Sequence, residues 1–192
     1  MKIVSVSLFI VLAVGFSILA SQVQAEEPKG AVIIYASRYG STARTAEWIA
    51  EGMEWKAVAI SLKDAGDLRA YKQVVLGSGI CFDQLYPDMS AFLETRGEEV
   101  RNKLLAVFVV CGTPPDQAQG YLDMFAEKCK AKHLLMKAFS GWIKKELLSP
   151  EDRKSLEDYY KSINEPFENY NNTDKAKCLE FGKEILGKMR GE

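Results

Sequence analysis

IIYASRYGSTARTAEWI, residues 33–49, decides how the rest of the chain is read. Ile33, Ile34 and Tyr35 belong to an apolar run of strand length, and a short polar loop with one glycine follows. Beyond it, Ala46, Ile49, Ala50 and Met53 fall at the spacing of one helix face. The loop has no lysine, so the Gly-Lys-Ser/Thr of a nucleoside-triphosphate loop is absent, and so is the GxGxxG of a dinucleotide site. A helix amino end still holds an anion, because its first N–H groups lack intrahelical partners and carry a positive partial charge. Ser37, Ser41 and Thr42 add hydroxyls, and Gly40 lets the backbone come close. The loop therefore reads as a cradle for one phosphate, although plain Ser/Thr capping of a strand–turn–helix leaves the same pattern.

Working outward, apolar strands are expected over residues 31–36, 57–62, 73–77, 104–111 and 134–139. Helices are expected over 42–53, 87–103 and 116–130, with a last one from near Asp174 to near Met189. Residues 63–72 form a polar connection. A charged segment over about 141–172 is expected to be helical across 144–160, with a start signal at Ser149-Pro150-Glu151-Asp152. Unpatterned apolar strands alternating with helices imply an α/β fold, a parallel sheet covered on both faces. Five such strands suggest the doubly wound order 2-1-3-4-5, whose ligands sit beyond the carboxyl ends of the strands. The loops there would be 36–41, 78–87 and 112–119.

The amino end reads differently. Lys2, an apolar run over 3–20 and Val23-Gln24-Ala25 make residues 1–25 a secretory signal peptide, with residues 26–192 as the domain. The run is close to the roughly 18 residues that can span a bilayer, so an uncleaved anchor through residues 3–20 is the alternative. Either way the domain is expected outside the cytoplasmic membrane, in the bacterial periplasm or on the outer face of that same membrane. Net charge is −1 with no basic stripe, which points away from nucleic acid. One histidine and no CxxC give no expectation of a metal site.

Ile33, Ile34, Tyr35, Ser37, Gly40, Thr42, Ala46 and Ile49 together resemble the phosphate-loop signature of the flavodoxin superfamily. The resemblance implies a flavodoxin-like fold and flavin mononucleotide (FMN) as cofactor, its phosphate held by Ser37, Arg38, Tyr39, Gly40, Ser41 and Thr42. Arg38, then Gly77-Ser78-Gly79-Ile80 with Phe82, then Ala91-Phe92 and Thr173-Asp174, resemble the menaquinone-dependent protoporphyrinogen dehydrogenase branch. Two features depart from that branch. Residues 141–172 carry mixed charge where the branch has a basic, apolar insertion, and Cys81 stands where it tends to place a basic residue.

The resemblance leaves the ring of the flavin to the other two loops. Phe82, Tyr86 and Tyr121 are candidates to stack on it, or ordinary packing residues at loop–helix junctions. Backbone N–H groups of Gly79, Gly112 and Thr113 are candidates for its polar edge. Cys81 and Cys111, at the ends of neighbouring strands, form a candidate redox pair, against a reading as a chance cysteine and a small buried one. Trp48, Trp55 and Trp142 read as packing residues or partner surface. Three functions compete: an exported FMN electron-transfer protein or oxidoreductase with an unknown redox partner, a quinone-linked enzyme resembling the protoporphyrinogen dehydrogenases, and a flavin-free binding domain.

Overall fold

The computed structural model describes residues 29–191. The signal peptide or anchor expected over residues 1–25 lies outside them, and no described helix is long and apolar enough to cross a membrane.

Strand β1 (Lys29–Ala36) leads into α1 (Ser41–Gly52), then β2 (Ala57–Ser61). Two short 3-10 turns, Leu62–Asp64 and Leu68–Ala70, carry the chain to β3 (Tyr71–Cys81), which folds back on the two-residue β4 (Gln84–Leu85). Next come α2 (Pro87–Arg101), β5 (Leu104–Cys111), a 3-10 turn at Pro115–Gln117, α3 (Gln119–Cys129) and β6 (Leu135–Ser140). A small antiparallel pair, β7 (Trp142–Ile143) with β8 (Tyr170–Asn171), brackets a 3-10 turn and α4 (Pro150–Ser162), and α5 (Lys175–Arg190) closes the chain.

The five long strands pair in parallel in the order β2-β1-β3-β5-β6, the expected doubly wound order 2-1-3-4-5. Alternation along each strand divides the core in two. Val32, Ile34, Leu76, Val107 and Val109 face Met89, Phe92, Leu122 and Phe125 of α2 and α3. Ile33, Val75, Phe108 and Val110 face Ile49 of α1 and Phe181 and Ile185 of α5. Both faces are dry, which is why these strands carry no polar alternation. The helix face expected from Ala46, Ile49, Ala50 and Met53 is buried, as are Met89, Phe92, Leu93 and Val100 of α2.

The expected loop over 78–87 is mostly strand. β3 runs four residues past Gly77, because β1 supplies a partner opposite Ser78 and β5 one opposite Gly79. The two glycines of this stretch are packing requirements. A Cβ on Gly77 would lie 2.0 Å from the Phe108 ring, and one on Gly79 would lie 2.4 Å from the Tyr86 ring. The helix expected over 144–160 begins at Pro150, where Ser149 Oγ accepts from Asp152 N at 3.1 Å. The helix expected over 116–130 begins at Gln119, after the Pro115–Gln117 turn.

Candidate functional site

The loops at the carboxyl ends of β1, β3 and β5 lie at the edge of the sheet where strand order reverses between β1 and β3. That is where a doubly wound sheet takes its ligand.

The first loop presents the amino end of α1. Gly40 is the N-cap of α1 in the left-handed region (φ 90°), which its missing side chain permits, and no side chain caps the helix from that position. Ser37 Oγ takes that work, accepting from Gly40 N at 3.2 Å and Ala43 N at 3.4 Å. Of the first-turn donors every helix leaves over, the Ser41 and Thr42 N–H groups remain at the loop. Thr42 is buried, and Ser41 is half-buried beside them. A hydroxyl-lined helix amino end with a close-approach glycine suits a phosphate monoester, so the residues present fit the phosphate of FMN.

The other side chains of this loop turn elsewhere. Arg38 Nη1 donates to Asp152 Oδ2 at 2.8 Å, and the Tyr39 hydroxyl donates to the same oxygen. Ser149 N donates to the Tyr39 hydroxyl at 3.2 Å, and Trp142 Nε1 donates to the Tyr39 carbonyl at 2.9 Å. The Trp142 ring also backs Gly40, 3.2 Å from where a Cβ would stand. Arg38 reaches over the Tyr86 ring, 5.9 Å from its centroid. Arg38 and Tyr39 thus belong to the loop through their backbone, and their side chains join it to the segment between β6 and α5.

The β3–β4 hairpin and the loop after β5 form the second half of the site. Phe82 and Asp83, at the hairpin tip, both adopt left-handed backbone (φ 49° and 57°), and Phe82 is 73% exposed. Two successive positive φ values give the hairpin turn whose twist matches the strands, normally built from Asn and Gly. Tyr121 Oη donates to Asp83 Oδ1, so Tyr121 ties α3 to the hairpin tip rather than lying free. Ser78 Oγ donates to Gly79 O at 2.8 Å and accepts from Tyr86 N at 3.2 Å. Tyr86 lies across Gly79, and burial pushes its hydroxyl up to about 12. Gly112 is exposed at the rim, with the Tyr170 hydroxyl 3.0 Å from where its Cβ would be.

Cys81 and Cys111 are free thiols. Alternation puts Ile80 and Cys111 on the α2–α3 face and Cys81 on the other, so the structure does not bring the pair together. Burial raises Cys81, the Asp152 carboxylate raises it further and Arg38 opposes both. Burial also raises Cys111, against the lowering bonds from Thr113, to whose carbonyl its thiol donates at 3.4 Å. Both are protonated at neutral pH, which makes them poor nucleophiles.

Trp142, Asp152 and Tyr170 belong to this edge and carried no site signal in the sequence. Trp142 stood among packing tryptophans, and Asp152 inside a helix-start signal. Only the tertiary fold brings Trp142 and Asp152 to the first loop from more than a hundred residues away, and Tyr170 to Gly112.

A family description, "Flavodoxin domain", matches residues 32–168, well over half of the chain. Among solved structures, a flavodoxin from the domain Archaea is 20% identical, with TM-score 0.53, over 84% of this chain and 99% of that one. Two-electron reduced flavodoxin from Megasphaera elsdenii is 14% identical, with TM-score 0.51, over 81% and 98%. A flavodiiron core from Synechocystis is 16% identical, with TM-score 0.55, over 88% of this chain but 38% of that one. At these identities the likeness is one of fold. No curated protein sequence matches the chain.

Proposed function

The chain belongs to the flavodoxin-domain family, and on that premise we propose that it is an FMN-binding redox protein. The observation that carries the proposal is the first loop, where Ser37 and Gly40 present the amino end of α1 at the reversal point of the sheet. Ser37, Gly40, Ser41 and Thr42 would hold the phosphate, with Arg38 and Tyr39 contributing backbone. Phe82, Gly79, Gly112, Thr113 and Tyr121 would face the ring. FMN, when bound, supplies the capacity to take up and pass on one or two electrons. The protein's part is to fix the phosphate by oriented N–H dipoles, to offer Phe82 as an aromatic face and to keep water from one side of the ring.

The apolar run at 3–20 and the Val23-Gln24-Ala25 site support an exported protein. The alternative is a quinone-linked enzyme resembling the protoporphyrinogen dehydrogenases. Residues 141–172 carry mixed charge where that branch has a basic, apolar insertion, and Cys81 stands where it tends to place a basic residue; both departures weigh against this reading.

The test is titration of the purified protein with FMN, read by quenching of flavin fluorescence. Saturable binding, weakened roughly tenfold by Thr42→Ala through loss of a hydrogen bond to a charged group, supports the reading. Absence of binding at tens of micromolar FMN would leave a flavin-free binding domain instead.

A further inference from the structure

The segment between β6 and α5 carries a feature that burial does not account for. None of the thirteen residues of α4 is buried. Its carboxyl end packs Tyr160 against Phe167, 5.2 Å between ring centroids, within the same segment, so that contact does not tie the helix to the sheet. Here the polar links gather at the first turn and end on the phosphate loop. The N-cap bond from Asp152 N to Ser149 Oγ fixes where the Asp152 carboxylate stands. That carboxylate then takes Arg38 and Tyr39 together, while Ser149 N takes the Tyr39 hydroxyl from the other side.

The base of the segment is pinned as firmly. Gly141 N donates to Cys111 O at 3.1 Å, and Asn172 N donates to Gly141 O at 3.1 Å, joining both ends of the segment to the sheet. Gly141 packs closely against Val110 and Ser41, whose Cγ1 and Oγ lie 3.1 and 3.2 Å from where a Cβ would stand, so glycine here lets the base of the segment sit tight on the strand end and the loop. From that base Trp142 backs Gly40 and holds the Tyr39 carbonyl. The outward groups of residues 38–40 are thus gripped from one side by a unit anchored to the strand ends.

We propose that the 141–172 segment is a clamp that preorganises the phosphate loop, with Trp142 and Asp152 as its positioning residues. Neither touches the ligand in this role; they act through Tyr39, Arg38 and Gly40. The proposal rests on the FMN reading for the identity of the ligand, though not for the state of the loop. A loop already held in shape does not charge its ordering entropy against binding. The effect must therefore belong to the phosphate alone.

The experiment compares FMN with riboflavin, which has the same ring and no phosphate, in wild type, Trp142→Phe and Asp152→Ala. Trp142→Phe keeps a ring against Gly40 and removes the N–H to Tyr39. The expected result is FMN binding weakened roughly three- to tenfold in each variant, in line with one lost hydrogen bond, and riboflavin binding unchanged. In flavin-free protein, the Gly40 and Ala43 amides, which donate to Ser37 Oγ, should exchange faster in both variants while those of α5 keep their wild-type protection. Equal losses for FMN and riboflavin would overturn the clamp. So would FMN binding that is unchanged, or tighter because Asp152 had competed with the phosphate. If wild type binds neither flavin, the FMN reading fails, and unchanged exchange at Gly40 and Ala43 would then overturn the clamp separately.

Discussion

At the scale of single residues, the site is defined by backbone that most side chains avoid. Phe82 places a large exposed ring on left-handed backbone, an arrangement that costs of order 1 kcal/mol and is tolerated best by Gly, Asn and Asp. Such a cost at an exposed loop tip suits a residue retained for contact with a ligand. Phe82→Asn should therefore leave thermal stability equal or slightly raised while FMN affinity falls several-fold, checked by melting and by fluorescence titration. Gly77 poses the opposite case. Its side is filled by the Phe108 ring, 2.0 Å from where a Cβ would stand, so Gly77→Ala forces the strand or the ring to move. It should destabilise by at least about 2 kcal/mol in urea unfolding, the upper range of overpacking. Along the chain, both glycines of Gly77-Ser78-Gly79 have the look of turn residues. Their true reason, aromatic rings seated on them, depends on Phe108 and Tyr86 and so is not visible locally.

At the scale of elements, α1 and α5 meet through Gly52 and Gly182. A Cβ on Gly182 would stand 2.3 Å from Ile49 O and 2.8 Å from Gly52 Cα, so the helices touch backbone to backbone. Gly182→Ala must push them apart although alanine is the better helix former by about 1 kcal/mol. A net loss of roughly 2 kcal/mol or more is expected, with amide exchange accelerating in α1 and α5 ahead of α2 and α3. Because α1 begins at the phosphate loop, FMN affinity should weaken as well. The long apolar strands and amphipathic helices were legible because their periodicity is local. The pairs β3–β4 and β7–β8 were not, since two-residue strands carry no period and exist only through their partners.

At the scale of the whole molecule, the two cores share a titration behaviour. Burial pushes Cys129 and Cys178 up to about 12 from 9.0, one on each side of the sheet; Asp174 adds to the effect at Cys178, and Thr45 opposes it. Burial likewise carries Tyr86 and Tyr170 up to about 12 from 10.0, aided at Tyr170 by Tyr160. A folded value above the unfolded one means that the unfolded chain loses its proton first as pH rises. The contribution is complete below about pH 9 and is lost progressively toward pH 12, each unit of difference being worth about 1.4 kcal/mol per group. Urea midpoints should stay level from neutral pH to about 8.5 and then fall steeply. Cys129→Ala should lower the neutral plateau by leaving a small cavity, and flatten the part of the decline that starts near pH 9.

What the sequence determined by itself was the class and order of the layers and the strand–loop–helix at residues 33–49 that the proposed phosphate site uses. Hydrophobic period, glycine position and Ser/Thr capping all act within a few residues, so they are written in the order of the chain. Tertiary structure decided how that loop is held and what faces it. Arg38 and Tyr39 looked like phosphate ligands, and only packing against Asp152 and Trp142 turned their outer groups away. Cys81 and Cys111 looked paired by strand adjacency, and alternation across the sheet set them on opposite faces. Contacts between residues a hundred positions apart depend on where whole elements come to rest, which no local pattern encodes.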